Sequence, residues 1–323
     1  MNELTAIDLC CGAGGWACAG RGLPIRFVAV ADRAQDCVET WRVNHAADHP
    51  GCSMLLCDLA TRDGPESVVR AAGGHVDLVL GGIPCEEISC HRGALPVGEE
   101  RMQAWYELVD RILALVEQFC PRWWAVEDVI QIERHLPLPL WHGREIPTRR
   151  IDAAAFGPQS RVRTFLGTFP EPIPVEGPRA LGECLLSGPH LTFPRAETYE
   201  VNPTNRSRVY DRYVRILDPA EPCPTITASF NTRGGRQKRT WVVEDQRARR
   251  RMLSWQEAAL VQGFPRDFLF ASGNSRAAAM IGQAIPIHVG RAILRAIIEE
   301  AQGGDHGNGH PAATSKTAQA AER

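Results

Sequence analysis

No apolar run in the 323 residues approaches the ~20 needed to cross a bilayer as a helix, so a helical membrane protein is not expected. The opening MNELTAIDLCC lacks a basic stretch followed by a long apolar core, the mark of a secretory signal. Neither charge sign is in excess. The net charge is −2, which argues against a uniformly basic nucleic-acid binder. No GxGxxG and no GK[ST] follow the first glycine-rich turn, so neither a dinucleotide nor a nucleoside triphosphate is the expected ligand. Cys85, Cys90 and His91 have no second Cys/His cluster at zinc spacing to complete them, and no metal is expected. The eleven cysteines are odd in number and form no small-domain framework; they read as reduced thiols of a cytoplasmic protein.

What is present is an ordinary globular composition, 44% hydrophobic and 23% charged, which excludes a wholly disordered, collagen-like or coiled-coil chain. The length suits a large α/β domain with a smaller partner. Charge is unevenly spread. Residues 195–251 hold 13 Lys and Arg against 7 Asp and Glu, a local +6 that leaves −8 for the remainder. One basic segment in a mildly acidic chain is the footprint of a polyanion contact, or else an arginine-rich solvated surface.

Residues 6–10, 26–32, 53–58, 76–82 and 123–128 are short apolar runs, and 33–45, 65–72 and 101–119 between them have helical spacing. That alternation predicts a parallel sheet covered on both faces, with its ligand beyond the carboxyl ends of the strands. The chemically notable residues of this half stand there: Gly12 to Gly15, Asp32, Asp58, Pro84-Cys85 and Glu127. The Pro-rich stretch 170–178 breaks the pattern. The reading is a catalytic, cofactor-binding domain over 1–169, a smaller irregular domain over 170–250, helices over 251–302 that complete the first domain, and a disordered polar tail over 303–323. Ser254 and Glu257 have the spacing of an N-terminal capping box.

Four constellations carry chemistry. In Asp8-Leu-Cys10-Cys-Gly12-Ala-Gly14-Gly15 a strand feeds a glycine turn whose N–H groups can approach a ligand. With Asp32 and Asp58 at the next strand ends, it favours a nucleoside cofactor with free ribose hydroxyls. In Gly81-Gly82-Ile83-Pro84-Cys85-Glu86-Glu87 a rigid Pro presents a thiol at the pocket; burial in a core is the commoner fate of cysteine, but the turn and polar flanks argue against it. Glu127, closing an apolar run, is placed either as a proton donor or as a helix cap. In Gln159-Ser-Arg161-Val-Arg163 two arginines two apart share one face of a strand, where they can hold carbonyl or anionic oxygens, or else decorate a sheet edge.

In this order the motifs resemble those of the DNA (cytosine-5) methyltransferases, across most of residues 4–301. DLCCGAGGWACAG (8–20) is similar to that family's S-adenosylmethionine loop, GGIPCEEIS (81–89) to its Pro-Cys loop, VEDV (126–129) to its Glu-Asn-Val motif and AAFGPQSRVR (154–163) to its Gln-x-Arg-x-Arg strand. RMLSWQEAALVQGFP (251–265) resembles its Gln-Gly-Phe-Pro helix, and GQAIPIHVGRAI (282–293) its final motif. The resemblance implies a Rossmann-like sheet with a smaller target-recognition domain, and S-adenosyl-L-methionine as cofactor. It implies Cys85 as nucleophile on C6 of a flipped cytosine, Glu127 as acid at N3, and Arg163, with Arg161, near the base carbonyl. Asp8, Cys10, Gly12, Gly14, Gly15, Asp32, Asp58, Pro84 and Gln283 would bind the cofactor. Gln159, Arg233, Arg236, Lys238 and Arg239 would bind double-stranded DNA. The implied protein is monomeric, makes no membrane contact, is cytoplasmic and nucleoid-associated when on DNA, and leaves room for a cognate restriction endonuclease acting separately.

The sequence departs from the family pattern at Ile83, Glu86, Asp128, Gln283 and Cys10, where Pro, Gln, Asn, Asn and an aromatic are usual. Glu86 and Glu87 beside a thiol are expected to oppose its ionisation. These changes keep a tRNA-acting enzyme and a catalytically impaired DNA-binding relative as alternatives.

Overall fold

The structure, a computed structural model, describes residues 3–88, 98–135, 140–141, 144–174, 176–186, 214–228, 230, 240–244 and 250–303. The first half runs β1 (Leu4–Leu9), α1 (Gly15–Gly20), β2 (Ile25–Asp32), α2 (Gln35–His45), β3 (Ser53–Leu56), α3 (Asp63–Ala72), β4 (Leu78–Gly82), α4 (Glu99–Phe119) and β5 (Trp123–Asp128). A short α5 (Ile132–His135) and the strands β6 (Leu140–Trp141), β7 (Arg144–Glu145), β8 (Thr148–Asp152), β9 (Gln159–Ser160) and β10 (Val162–Thr168) follow. The remainder holds β11 (Val214–Ile216), β12 (Cys223–Pro224), β13 (Thr240–Glu244), β14 (Arg250–Met252), α6 (Trp255–Gln262), α7 (Asn274–Gln283) and α8 (Ile287–Gly303).

The main sheet has seven strands in the order β3-β2-β1-β4-β5-β10-β8. Its first five are parallel, and β10 is antiparallel to both β5 and β8. The five apolar runs expected to be strands are β1 to β5, and the three helical segments between them are α2, α3 and α4. Successive side chains of a strand point to opposite faces, and both faces here are covered. Ala6, Phe27, Val30, Leu78, Leu80 and Ala125 pack in one core with Trp16 of α1, Trp41 of α2 and Leu294 and Ile297 of α8. Ile7, Leu9, Ala29, Ala31, Val79 and Val126 pack in a second core with Val68 of α3 and Ile112 of α4. This double coverage is why the strands read as nearly continuous apolar runs.

From β1 the chain winds outward through β2 and β3, then returns to place β4 on β1's other side. The reversal opens a crevice beyond the carboxyl ends of β1 and β4, the usual ligand site of such sheets. Two details shape it. Gly14 adopts φ +84°, and a Cβ there would stand 2.8 Å from Trp41 Cδ1, so the turn after β1 can press onto α2 only as glycine. On the other side, α6 opens with the expected capping box: Ser254 Oγ accepts from Glu257 N at 3.2 Å, and Ser254 N donates to Glu257 Oε2 at 2.9 Å. That cap sets the direction in which α6 leads into α7 and α8. No single helix among the described residues is long and apolar enough to cross a membrane.

Candidate active site

A cavity of about 680 Å³ occupies the crevice. Asp8, Cys10, Gly12, Gly15, Asp32, Pro84, Cys85, Glu127, Arg161, Arg163 and Gln283 all line it. Three expected site residues do not. Gly14 lies behind the turn against Trp41 and His45. Asp58 follows the end of β3, where its Oδ1 accepts from Ala60 N at 2.9 Å. Gln159 is 2% exposed and donates through Nε2 to Gln262 Oε1 at 2.8 Å, in a buried amide network rather than on the cavity wall. Arg233, Arg236, Lys238 and Arg239, and with them Cys90, His91 and the tail beyond residue 303, lie outside the described residues.

One wall is built from the ends of β1 and β2. Asp32 accepts from Gly12 N through Oδ2 at 2.9 Å and from Ala34 N through Oδ1 at 2.8 Å, which fixes the glycine turn to β2. Burial nevertheless holds the Asp32 carboxyl above its ordinary range, against the pull of those two donors. Asp8 is 1% exposed, and neither of its carboxylate oxygens has a hydrogen-bond partner. Burial, and then the neighbouring Asp32, push its carboxyl well up. Buried polar groups are nearly always satisfied, so an orphaned carboxyl in a cavity wall is chemistry prepared for a cationic ligand group. Cys10 takes a left-handed φ of 54°, rare for a residue with a side chain, and burial pushes up its thiol.

The end of β4, which pairs with β1, leads into Cys85. Ile83 N donates to Glu127 O at 2.9 Å, Trp105 Nε1 to Pro84 O at 3.0 Å, and Ile88 N to Cys85 O at 3.2 Å. The Cys85 loop is thereby tied to β5 and α4, and its thiol is half-buried in the cavity. Burial, then the carboxyls of Asp128 and Glu127, push that thiol up to about 12, with Arg163 and Arg161 pulling the other way. The opposing carboxyls are therefore not the ones expected from the sequence. Glu86 turns to Gln283, and Glu87 pairs with Arg101 on α4. Asp128 is 1% exposed; its Oδ1 accepts from Val129 N at 2.5 Å, while its Oδ2 is unpartnered. Burial and the adjacent Glu127 hold it well above the usual carboxylate range.

Antiparallel pairing of β10 with β5 sets Thr164 opposite Asp128 and so carries Arg163 to the end of β5. Arg163 Nε lies 3.1 Å from Glu127 Oε1. Glu127 is raised by burial, and the two arginines restrain the rise. Arg161 is buried and its guanidinium donates to Ile226 O at 2.8 Å, Gly282 O at 3.0 Å and Ala284 O at 3.1 Å. The two arginines thus divide the work: Arg161 holds the backbone before α8 in place, and Arg163 meets the acid. Trp105, Arg33 and Arg276 also shape the site and carry no sequence signal, since each acts through packing or pairing across the fold.

The described residues contain no group of His, Cys, Asp and Glu able to hold a metal ion. The orphaned Asp8, the glycine turn fixed by Asp32 and a thiol in the same cavity fit a cationic nucleoside donor beside its acceptor.

Comparison with known proteins gives the family. The family model for C-5 cytosine-specific DNA methylases matches residues 4–136 and 187–299, more than half of the chain. The chain is 24% identical over 320 residues to the type II methyltransferase M.HindV of Haemophilus influenzae, covering 91% of this chain and 96% of that protein. It is 25% identical over 299 residues to the type II methyltransferase M.HgiDI of Herpetosiphon aurantiacus, covering 88% and 91%. Among solved structures, a mutant Spodoptera frugiperda DNMT2 superposes with a TM-score of 0.66 at 13% identity over 91% of this chain and 99% of that one. Schizosaccharomyces pombe Dnmt2 superposes with a TM-score of 0.65 at 14% identity over 92% and 99%; at such identity these two speak for the fold. The chain belongs to the C-5 cytosine-specific DNA methylases, and it is an S-adenosyl-L-methionine-dependent DNA (cytosine-5) methyltransferase.

Proposed function

We propose that Cys85, Glu127 and Arg163 carry the methylation of a cytosine flipped out of duplex DNA. The observation that supports this most directly is that a half-buried thiol, an Arg-paired buried carboxyl and an orphaned Asp8 line one cavity. A base inside a duplex cannot reach a cavity walled in this way, so it must leave the stack.

The chemistry follows from the weakness of cytosine C5 as a nucleophile. Cys85 Sγ, having lost its proton, bonds to C6 while Glu127 gives its proton to N3, and the electron pair of the C5–C6 double bond becomes available at C5. When bound, the donor supplies an electrophilic methyl group. C5 would take that methyl as the methyl–sulfonium bond breaks and leaves its pair on sulfur, giving a neutral thioether; C5 then loses its own proton to a base, and the returning pair expels Cys85 Sγ from C6 as N3 gives its proton back to Glu127. Arg163 orients Glu127 and lowers the cost of charge on Cys85. Asp8 and the turn around Gly12 and Gly15 hold the donor, with Asp32 at its ribose and Cys10, Pro84 and Gln283 beside it. Gly14 and Asp58 act from behind the wall, shaping the turn and the strand end.

Residues 170–250 serve target recognition, with Arg233, Arg236, Lys238 and Arg239 on phosphates, while 1–169 and 251–302 form the catalytic body. The protein is read as a monomer acting in the cytoplasm, with any cognate endonuclease a separate protein. The deciding experiment is covalent trapping on DNA containing 5-fluorocytosine. The parent should form an adduct with the fluorinated base and C85S should form none while still binding the donor. An adduct with C85S would overturn the nucleophile assignment.

A further inference from the structure

Two departures from the family pattern, 197 residues apart in sequence, are bonded to each other: Gln283 Nε2 donates to Glu86 Oε1 at 3.0 Å. The other Glu86 oxygen, Oε2, stands 3.8 Å from an Arg33 guanidinium nitrogen. Glu86 follows Cys85 directly, Arg33 follows Asp32 at the end of β2, and Gln283 ends α7; all three line the one cavity. Other ties of the Cys85 loop among the described residues run through Ile83 to β5 and through Pro84 and Glu87 to α4. Glu86 joins the nucleophile loop itself to Arg33 and Gln283, on the donor-holding elements.

We propose that Glu86 is a positioning residue: with Gln283 and Arg33 it straps the Cys85 loop across the cavity mouth and sets the gap between the nucleophile and the donor. The inference rests on Cys85 being the nucleophile and on the donor lying against the β1 and β2 ends. The Arg33 side of the strap is weak. Both groups are more than half exposed, at 59% and 52%, so water and salt screen the pair. The Gln283 bond is exposed as well, but it is charge-assisted, directional and the shorter of the two, so it is the main tie. It joins two segments that are each anchored separately, so its effect falls on their spacing rather than on the fold.

A swap of donor and acceptor separates this role from a merely structural one. Q283E alone sets two carboxylates against each other and should weaken S-adenosylhomocysteine binding, measured by calorimetry, and slow single-turnover methyl transfer, each by about tenfold for the loss of one charge-assisted bond. E86Q/Q283E restores the bond with its partners exchanged and should recover most of both. E86Q alone keeps an acceptor for Gln283 but loses the charge assistance and the Arg33 pair, and should fall between the parent and Q283E. Should Q283E not fold, as judged by thermal melting, the cycle of E86A, Q283A and the double variant replaces it, and the two losses should be non-additive. Equal donor affinity in Q283E and the parent, no rescue in the swapped pair, or additive losses would overturn the strap. Binding is also measured in the C85S background, so a failed strap is distinguishable from a failed nucleophile assignment, which trapping alone decides.

Discussion

Arg163 Nε and Glu127 Oε1 are 3.1 Å apart, with side chains only 13% and 7% exposed, so the acid of the site is balanced between burial and one guanidinium. Removing the arginine upsets both partners of the reaction. R163A leaves Glu127 higher still and removes the stronger of the two cations that favour the Cys85 thiolate. Turnover should fall by about 10²-fold or more, the scale of a lost acid–base contribution, and stability by about 3 kcal/mol for breaking a nearly buried pair. R163K retains the charge without the planar fork and should recover part of the stability but little of the turnover. Methylation kinetics and denaturant melts check this; turnover in R163A equal to that of the parent would remove Arg163 from the mechanism.

Asp128 yields a prediction with a definite sign in pH. Its carboxyl is held well above the usual range in the folded protein, so protonation favours folding. The stability it contributes is full below its unfolded value of ~3.9 and is lost as the pH rises toward its folded value. D128N removes that dependence, because the amide does not titrate and its oxygen can still accept from Val129 N. The gain in melting temperature of D128N over the parent should therefore grow from pH 5 to pH 8. Asp128 is also the larger of the two carboxyl influences on Cys85. The pH midpoint for alkylation of Cys85, followed on its peptide by mass spectrometry, should move down in D128N. A midpoint at or above the parent's would show that Asp128 does not bear on the thiol.

Much of the fold was legible because its strands are buried on both faces and its helices are amphipathic; β1 to β5 and the cap of α6 needed only local pattern. The glycine turn, the Pro-Cys loop and the Glu127 strand end could be placed for the same reason, since strand ends define the crevice. What sequence could not supply was pairing at a distance. Glu86 and Glu87 look like two acids crowding a thiol until Arg101 arrives from the next helix, α4, and Gln283 from α7, 197 residues along the chain. Asp58 counts as a third cavity carboxylate only if proximity to a strand end is equated with pointing inward. Trp105, which grips the Pro84 carbonyl, is an ordinary helical aromatic in the sequence.

Gln159 shows the same limit and can be tested by itself. Its bond to Gln262 belongs to a buried network in which Gln262 Nε2 also donates to Ala284 O at 2.7 Å and Ile285 O at 2.8 Å. Q159A strands a buried amide and should cost about 1–3 kcal/mol of stability. DNA affinity at a temperature where the variant is folded should match the parent's. A filter-binding constant weakened more than stability accounts for would return Gln159 to the DNA-contacting surface.

Asp8 links the donor to a proton. Its carboxyl is buried, unpartnered and held above its ordinary range by burial and by Asp32, which favours the protonated form when no cation faces it. S-adenosyl-L-methionine carries an ammonium and a sulfonium, and a cation brought against Asp8 favours its ionised form. Donor binding at neutral pH should therefore release up to one proton, and the binding enthalpy should vary with the ionisation enthalpy of the buffer. Donor affinity should rise with pH until Asp8 ionises in the free protein. D8N cannot ionise, so its binding enthalpy should no longer depend on buffer and its affinity should fall by about tenfold or more, the scale of one lost charge-assisted contact. The same variant should melt no lower than the parent, since it exchanges one buried polar group for another that carries no latent charge. Proton release that persists unchanged in D8N would assign the coupling to another group, with Asp32, held above its ordinary range on the same wall, the next to substitute.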